Sequence, residues 1–206
     1  MTSQDKGFSL YLDACDGLKV GLLDEQLNWE KFLDFPIKKA SNTLFIETEK
    51  LLSENNIELS QLEQIFLCLG PGSYTGIRLL QGMKDLYQNQ GLKVFSFYNF
   101  EIPYLNGIQE GVYVTSAYKQ EIYQYKWHGE EHFQDLIEAG RFVVENTGDI
   151  YGMQDQFHEN ALCNVYTMLR NNPKKVLERV LEKKLSRQAF YFRPLEKEFR
   201  MNFPEF

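Results

Sequence analysis

The sequence predicts an α/β fold in which helices pack on a partly parallel sheet. Three short apolar segments open the chain, and the turn-forming residues between them are typical of an antiparallel meander. Buried strands and helices then alternate up to residue 97, which indicates parallel pairing. The pattern starts again near residue 100, so we expect a second, smaller lobe.

The first half of the chain has the clearer elements. The segments FSLYLDA, LKVGLL and LNWEKFLDF predict strands over 8–14, 18–23 and 27–35. A helix is predicted from Ser41, a residue type that caps helices, to about Asn55. Its apolar face is expected to contain Leu44, Phe45, Thr48, Leu51 and Leu52.

Further strands and helices follow from the same patterns. QIFLCL predicts a strand over 64–69, the next helix reaches about Gln90, and LKVFSF predicts another strand. VYVTSAY and IYQYKWHG predict strands of the second lobe. Pro173 is expected to separate the last two helices, because proline breaks a helix but also starts one well. Helices are expected over 133–139, 159–170 and 174–186, and the two lobes over 1–104 and 105–206.

The composition favours a packed, soluble protein. Of the 206 residues, 43% are hydrophobic and 15% aromatic, which is enough for a sizeable core. No apolar run approaches the roughly 20 residues that a membrane helix needs, and the first residues do not form a secretory signal. We therefore expect a cytoplasmic protein that does not contact a membrane. Cys15, Cys68 and Cys163 lack CxxC spacing, so reduced thiols are predicted rather than disulfides.

The net charge of −7 does not favour binding of nucleic acid by the chain as a whole. The charge is uneven, since residues 173–206 contain nine Lys or Arg and five Asp or Glu. A solvated helix face is the favoured interpretation of this basic segment, and contact with RNA or an acidic partner is the alternative.

The stretch GPGSYTGIR joins a predicted strand to a helix, a place where many proteins bind phosphate. Gly70 and Gly72 allow positive φ or close approach of another backbone, and Ser73 or Thr75 can cap the helix. However, no lysine follows the last glycine, and the stretch matches neither GxxxxGK[ST], GxGxxG nor GxSxG. A tight turn that packs a helix on a sheet is therefore favoured.

The helix after this turn has an apolar face of about 120°, wider than a single narrow seam needs. Gly76 and Gly82 remove side chains at or beside this face, and a helical glycine costs about 1 kcal/mol relative to alanine. Close approach of another backbone would offset that cost, so the helix is predicted to serve both the core and a second surface. The face consists of Gly76, Leu79, Leu80, Met83, Leu86 and Tyr87.

The stretch GPGSYTGIRLLQGMKDLY resembles the GPGSFTGLRIG signature of the TsaB (YeaZ) family, which acts in tRNA threonylcarbamoyladenosine biosynthesis. Four more segments resemble the family in the same order: SLYLDACDGLKVGLLD, KASNTLFIETEKLLSE, VTSAYKQEIYQY and QAFYFRPL. The glycine motif is highly specific, and the order of the segments extends the resemblance over nearly the whole chain. The sequence resembles a diverged member, since it departs from the family pattern at Ala14, Cys15, Ala40, Ser116 and Tyr118.

The resemblance implies an actin/sugar-kinase/Hsp70-like fold of two ribonuclease-H-like lobes with mixed sheets, and a C-terminal helix packed back on the first lobe. It implies a non-catalytic scaffold subunit of the complex that makes N6-threonylcarbamoyladenosine at position 37 of ANN-decoding tRNAs. The implied partners are the paralogous threonylcarbamoyltransferase subunit (TsaD), a small P-loop ATPase (TsaE) and, for some members, a second copy of the chain. Contact with tRNA is implied only through the complex, and no cofactor is implied.

The resemblance also implies that the partner subunit binds to the glycine-motif helix and to the helix before it. Carried over to this sequence, the partner-binding residues are Gly72, Ser73, Gly76, Arg78, Leu79, Gly82, Met83 and Leu86. Gly72 and Gly76 are expected to allow close approach of the partner, and Arg78 to make a contact at the rim. Asp13 keeps the aspartate of the first strand and is the candidate residue for a nucleotide or phosphate.

An independent enzyme of the same fold, either a metallohydrolase or an ATP-binding phosphotransferase, is the alternative function. His128 and His132 have the i,i+4 spacing of metal ligands, but the preceding strand and the glycine between them argue against the helix that such a pair needs. His158 is isolated in the sequence. A two-metal nuclease needs several converging carboxylates, and Ser116 lacks the one that would join Asp13. The sequence therefore predicts no catalytic residue and no metal site.

Overall fold

The computed structural model describes residues 7–36, 43–117, 121–138, 150–153 and 162–192 of the chain. Within these ranges, ten strands form two five-stranded sheets. Five α-helices and two short 3₁₀ turns, Leu59–Gln61 and Asn99–Glu101, connect or cover the strands. The α/β class predicted from the sequence is confirmed.

The first sheet contains the segments predicted from the first half of the chain. Its strands are β1 (Phe8–Asp13), β2 (Leu18–Leu23), β3 (Trp29–Phe35), β4 (Leu62–Cys68) and β5 (Lys93–Phe97). Their order in the sheet is β3-β2-β1-β4-β5. β1, β2 and β3 form an antiparallel meander, whereas β4 is parallel to both β1 and β5. The predicted combination of a meander with parallel strands is confirmed.

Two helices cover one face of this sheet, α1 (Leu44–Glu54) and α2 (Tyr74–Asn89). Leu10 and Leu12 of β1 lie in one apolar cluster with Leu44 of α1 and Leu80 of α2. The predicted cap of α1, Ser41, lies outside the described residues. Thr43 directly precedes this helix and makes no side-chain capping bond.

The second sheet has the order β10-β9-β6-β7-β8. Its strands are β6 (Glu110–Ser116), β7 (Glu121–His128), β8 (Glu131–Glu138), β9 (Ile150–Gly152) and β10 (Leu162–Asn164). The remaining helices are α3 (Ile102–Leu105), α4 (Val165–Asn171) and α5 (Pro173–Glu182). None of the helices in the described ranges is long and apolar enough to cross a membrane.

The helix predicted over 133–139 is wrong, since β8 extends through most of that segment. β8 pairs with β7 along its whole length, in a register that joins His128 to Glu131 and Glu121 to Glu138. Gly129 adopts φ +58° between the two strands, a conformation that suits glycine in a tight hairpin. The backbone N–H and C=O groups of β8 form their hydrogen bonds with β7, so this segment does not need a helix to satisfy them.

The helix predicted over 159–170 starts later than expected. Residues 162–164 form β10, residues 159–161 lie outside the described ranges, and α4 begins at Val165. The side-chain oxygen of Asn164 accepts hydrogen bonds from the backbone N–H groups of Tyr166 and Thr167, at 2.8 and 3.1 Å. This N-cap sets the start of the helix.

The helix predicted over 174–186 begins one residue earlier, at Pro173, and ends at Glu182. Lys184 has φ +49°, which stops the helix. The chain then returns to the first sheet, where Ser186 forms a bridge with Ser96 and the N–H of Phe190 donates to the carbonyl of Leu69. α5 itself contacts α3 and β5. The boundary between lobes at residue 104 stays a prediction.

The two sheets share a core that is rich in aromatic rings. Tyr11 and Phe97 of the first sheet lie in the same cluster as Tyr113 and Tyr123 of the second. Phe100, in the turn after β5, packs on the rings of the second sheet, with its ring centroid 4.3 Å from that of Tyr125. Such ring pairs stabilise the contact beyond their burial of apolar area.

Candidate functional site

The glycine turn between β4 and α2 packs on the backbone of the same chain. A Cβ atom at Gly72 would lie 2.3 Å from the carbonyl oxygen of Cys15, and one at Gly76 would lie 2.0 Å from that of Ala14. Neither position can hold a side chain without moving the backbone. The close approach expected from the sequence exists, but it joins the turn to the loop after β1. We therefore correct the expectation that Gly72 and Gly76 admit another chain.

Ser73 caps α2, as the sequence predicts. Its Oγ accepts a hydrogen bond of 3.3 Å from the N–H of Gly76. Arg78 is exposed, as expected for a rim residue, and its guanidinium lies 3.5 Å from the hydroxyl of Tyr74. The start of α2 is therefore set by local capping and leaves Arg78 accessible.

The apolar face of α2 divides into a buried part and an exposed part. Met83 is only 2% exposed and packs in the cluster under the helix, so it is a core residue rather than a partner-binding one. Leu86 is 48% exposed, and Leu79 is partly buried. Apart from its own stretch of helix, no atom lies within 4 Å of a Cβ built at Gly82, so the surface beside this glycine is open. The exposed part of the face is narrower than predicted.

Helix α1 adds apolar residues to this surface. Phe45, expected on the buried face of the helix, is 50% exposed, and Ile46 is 62% exposed. The signal in the sequence was their offset from the buried stripe of Leu44, Thr48 and Leu51. A groove of about 350 Å³ lies beside Phe45; its lining includes Phe45, Thr48, Leu52, Ile57, Leu59 and Tyr87. The groove therefore joins α1 to α2.

Asp13 lies at the end of β1 and is completely buried. Its carboxylate accepts a 3.0 Å hydrogen bond from the Tyr11 hydroxyl and a 2.7 Å bond from the N–H of Cys15. The thiol of Cys15 donates to the carbonyl oxygen of Cys68 at 3.4 Å. Burial raises the pKa values of both thiols, so they stay protonated near neutral pH. No oxygen of Asp13 faces solvent, and nucleotide binding there stays a prediction.

The two histidines of HGEEH do not meet. The hairpin register pairs His132 with Trp127, which places His132 on the opposite face of the sheet from His128. The Nδ1 of His132 lies 2.7 Å from the Tyr125 hydroxyl, and that of His128 lies 2.9 Å from Glu110 Oε2. They cannot share a metal ion in this arrangement. His158, Ala40 and Tyr118 lie outside the described residues.

A second groove of about 490 Å³ lies beside β7, β8 and α3. Its charged groups bind one another: the guanidinium of Arg187 lies 2.5 Å from the carboxylate of Glu101. The hydroxyl of Tyr104 donates to Glu130 at 2.7 Å. Together with the 2.7 Å contact between Tyr125 and His132, these pairs involve six of the nine polar side chains that line the groove. The exposed apolar surface formed by Phe45, Ile46 and Leu86, here called the α1/α2 surface, is therefore the better candidate for a functional site.

Comparisons with known proteins agree with this architecture. No family model matches the chain, and no curated protein matches it. Among solved structures, a protein with similarity to peptidase YeaZ from Pseudomonas aeruginosa has a TM-score of 0.64 at 18% identity, covering 91% of this chain and 100% of that one. YeaZ from Pseudomonas aeruginosa has a TM-score of 0.63 at 17% identity, covering 89% and 96%. The chain therefore has the α/β fold of YeaZ, which confirms the fold class that the resemblance implied.

Proposed function

We propose that this chain is a non-catalytic, partner-binding subunit of the complex that makes N6-threonylcarbamoyladenosine in tRNA, and that it pairs through the α1/α2 surface. The glycine motif and the YeaZ fold support the role. The pairing surface is inferred from one observation: three large apolar side chains are exposed on two adjacent helices. They are Phe45, Ile46 and Leu86, with exposed fractions of 50, 62 and 48%.

The physical argument is hydrophobic burial. Removing apolar surface from water contributes about 25 cal/mol per Å², so three such side chains, of which Phe45 also lines an apolar groove, favour association. The groove is concave and borders both helices, which suits an apolar side chain projecting from a partner helix. A paralogue of the same fold would present an equivalent pair of helices. The two chains would then pair in a pseudo-symmetric way.

The partner of this proposal is the paralogous threonylcarbamoyltransferase subunit (TsaD). A small P-loop ATPase (TsaE) would join the pair, and tRNA would be reached through the complex. Without the transferase subunit, a second copy of this chain would cover the same surface. The corresponding compartment is the cytoplasm.

The test is size-exclusion chromatography with light scattering. The chain is run alone and then with the transferase paralogue from its own genome. Ile46→Asp and Leu86→Asp should abolish the complex while the chain stays folded, because a charge at either position would be buried without a partner. Phe133→Asp is the matched control, since Phe133 is 61% exposed on β8 and should not alter pairing.

Two results would contradict the proposal. Absence of a complex between two well-folded wild-type chains would remove the scaffold role. A complex that survives both substitutions but is lost in Phe133→Asp would move the surface to the second sheet. The alternative metallohydrolase has less support, because His128 and His132 lie on opposite faces of their hairpin.

A further inference from the structure

Positive charge is concentrated in the last described segment of this acidic chain. Residues 173–192 contain six Lys or Arg and two Asp or Glu, a local balance of +4, whereas the whole chain has a net charge of −7. Three of these cations follow one another at intervals of four residues on α5 and at its end: Lys175, Arg179 and Lys183. Because an α-helix rises about 1.5 Å per residue, they are spaced about 6 Å apart along the helix. We call this row the basic stripe.

All three cations of the basic stripe lie on the side of α5 that faces α3. The guanidinium of Arg179 donates a 3.3 Å hydrogen bond to the carbonyl oxygen of Tyr104. The ammonium of Lys183 lies 5.2 Å from the centroid of the Tyr104 ring. The ammonium of Lys175 lies 3.4 Å from a Cβ built at Gly107, just after α3. The stripe therefore runs beside the end of α3, and Lys183 also lines the groove of about 490 Å³.

This second groove offers aromatic ring faces, because most of its polar side chains are paired with one another. His132 is exposed, and its Nδ1 lies 2.7 Å from the Tyr125 hydroxyl. The two rings are parallel to within 18°. Stacking of a planar ring needs a ring face that is held in place and needs no free hydrogen-bond donor. The aromatic lining of the groove includes Tyr98, Phe100, Tyr104, Tyr125 and His132.

Most of the acidic side chains near the stripe are paired. Arg187 contacts the carboxylate of Glu101, which is 6% exposed. On α5, Glu178 forms a 3.8 Å salt bridge with Lys174. Glu130 is exposed at the groove, where it accepts a hydrogen bond from the hydroxyl of Tyr104. The stripe therefore attracts anions, and Glu130 opposes this attraction.

We propose that the basic stripe and the second groove bind a single-stranded stretch of nucleic acid. One base stacks in the groove, and the phosphates next to it follow the stripe along α5. A row of cations about 6 Å apart can follow a phosphate backbone, and an aromatic site accepts the π-face of any base. An acidic peptide would use the stripe but leave the aromatic lining without a ligand, so the combination favours nucleic acid. This inference goes beyond the proposed function, because it needs no partner subunit.

The experiment measures the fluorescence anisotropy of labelled oligo(A) strands, one of RNA and one of DNA, with the full chain alone. We expect a Kd in the micromolar range at about 50 mM salt. The logarithm of the association constant should fall against the logarithm of salt concentration with a slope of about −2 to −3, as for three or four phosphate contacts on a single strand. Binding of either strand supports the proposal, and the tighter one identifies the preferred sugar. A duplex of the same length should bind at least tenfold more weakly, because its bases are not free to stack.

Charge substitutions test the stripe. Lys183→Glu should weaken binding at least tenfold, and Lys183→Arg should keep it. Lys50→Glu is the matched control, because Lys50 is 60% exposed on α1 and the substitution changes the net charge by the same amount. This control should change the Kd by less than about twofold, since exposed charges separated by more than about 10 Å are screened. Glu130→Gln should tighten binding, a gain that loss of folding cannot produce.

Substitutions of the exposed imidazole test stacking in the groove. His132→Ala should weaken binding about fivefold or more, whereas His132→Phe, which keeps a ring, should retain it. Because His132 is exposed, both variants are expected to stay folded. Equal affinity of the two variants would overturn the stacked base.

Three further results would overturn the proposal. The first is the absence of binding by the wild-type chain at low salt. The second is an equal loss of affinity in Lys50→Glu and Lys183→Glu, because net charge alone would then explain binding. The third is competition by polyglutamate as effective as that by unlabelled oligo(A), which would assign the stripe to an acidic protein. Light scattering of Lys183→Glu with the transferase paralogue should still show the complex, which keeps this result separate from that of the proposed function.

Discussion

The backbone N–H of Ser73 donates a 2.7 Å hydrogen bond to the carbonyl oxygen of Cys15. It joins the cap of α2 to the loop after β1, on which Gly72 and Gly76 also pack. The glycine motif is therefore an intramolecular contact that fixes where α2 begins. The motif affects the outer surface of the helix only indirectly, because it fixes where α2 begins and so where its exposed side chains lie.

Alanine at Gly76 and at Gly82 should have opposite effects on stability. Gly76→Ala places a Cβ 2.0 Å from the carbonyl oxygen of Ala14, so the backbone must move, at a cost of about 2 kcal/mol or more. Gly82→Ala meets no atom within 4 Å and should raise the free energy of unfolding by up to about 1 kcal/mol. Urea denaturation measures both. Similar effects of the two changes would contradict this account of the turn.

A charge introduced at Met83 should destabilise the chain much more than one at Leu86, because Met83 lies in the core and Leu86 is half exposed. Met83→Glu buries a carboxylate among apolar residues and should lower the free energy of unfolding by about 3 kcal/mol or more. Leu86→Glu changes an exposed side chain and should stay within about 0.5 kcal/mol of the wild type. Circular dichroism during thermal unfolding makes the comparison. A well-folded Met83→Glu chain would show that this face of α2 is not core.

The pair of Arg187 and Glu101 should stabilise the contact between the segment that follows α5 and the 3₁₀ turn that follows β5. The Glu101 side chain is 8% exposed and also accepts a 2.8 Å bond from the N–H of Tyr98. Arg187→Met leaves this carboxylate without its cation and should cost about 1–3 kcal/mol. The control is Arg78→Met, an exposed position expected to change stability by less than about 0.5 kcal/mol.

A double-mutant cycle isolates the interaction between these two residues. Adding Glu101→Gln to Arg187→Met removes the unpaired charge, so the two changes together should cost less than the sum of the single changes. Strict additivity in urea denaturation would mean that Arg187 acts only through packing.

Stability should fall above pH 10 because of the buried tyrosines. Burial raises the pKa values of Tyr113, Tyr123 and Tyr125, whereas tyrosines of the unfolded chain ionise near pH 10. Above that pH the folded chain retains protons that the unfolded chain loses. Each such tyrosine then lowers the free energy of unfolding by about 1.4 kcal/mol per pH unit. Urea denaturation at a series of pH values should show a decline that begins at about pH 8.5, where cysteines of the unfolded chain ionise while the buried thiols of Cys15 and Cys68 stay protonated. The decline should become steeper above about pH 10, where the tyrosines add to it.

Tyr113→Phe should reduce the loss of unfolding free energy above pH 10 by about 1.4 kcal/mol per pH unit, the contribution of one tyrosine. Its hydroxyl is buried without a hydrogen-bond partner among the described residues, so the substitution should also raise stability at neutral pH by about 1 kcal/mol. A loss of stability at neutral pH would show that the hydroxyl has a partner in the folded protein.

Local sequence patterns were sufficient to predict most elements of the first sheet and the start of α2. The meander, the parallel strands and the cap at Ser73 follow from periodicity and turn chemistry, which act over a few residues. The same reasoning failed at β8, because residues 131–138 pair with a neighbouring strand, and the pairing decides their conformation. It also predicted that Phe45 is buried, whereas its side chain is half exposed, and that Met83 binds a partner, whereas its side chain is buried in the core. A wide apolar face does not show which of its edges meets the sheet.

The sequence by itself determined the α/β class, the order of the first elements and the position of the glycine turn, since each follows from neighbouring residues. Only the tertiary structure decided which apolar side chains of α1 and α2 remain in solvent. It also decided that Asp13 and Cys15 meet Cys68, because that contact depends on the parallel pairing of β1 with β4. Side chains far apart in the chain meet only when the sheet sets their register, and no local pattern contains that information.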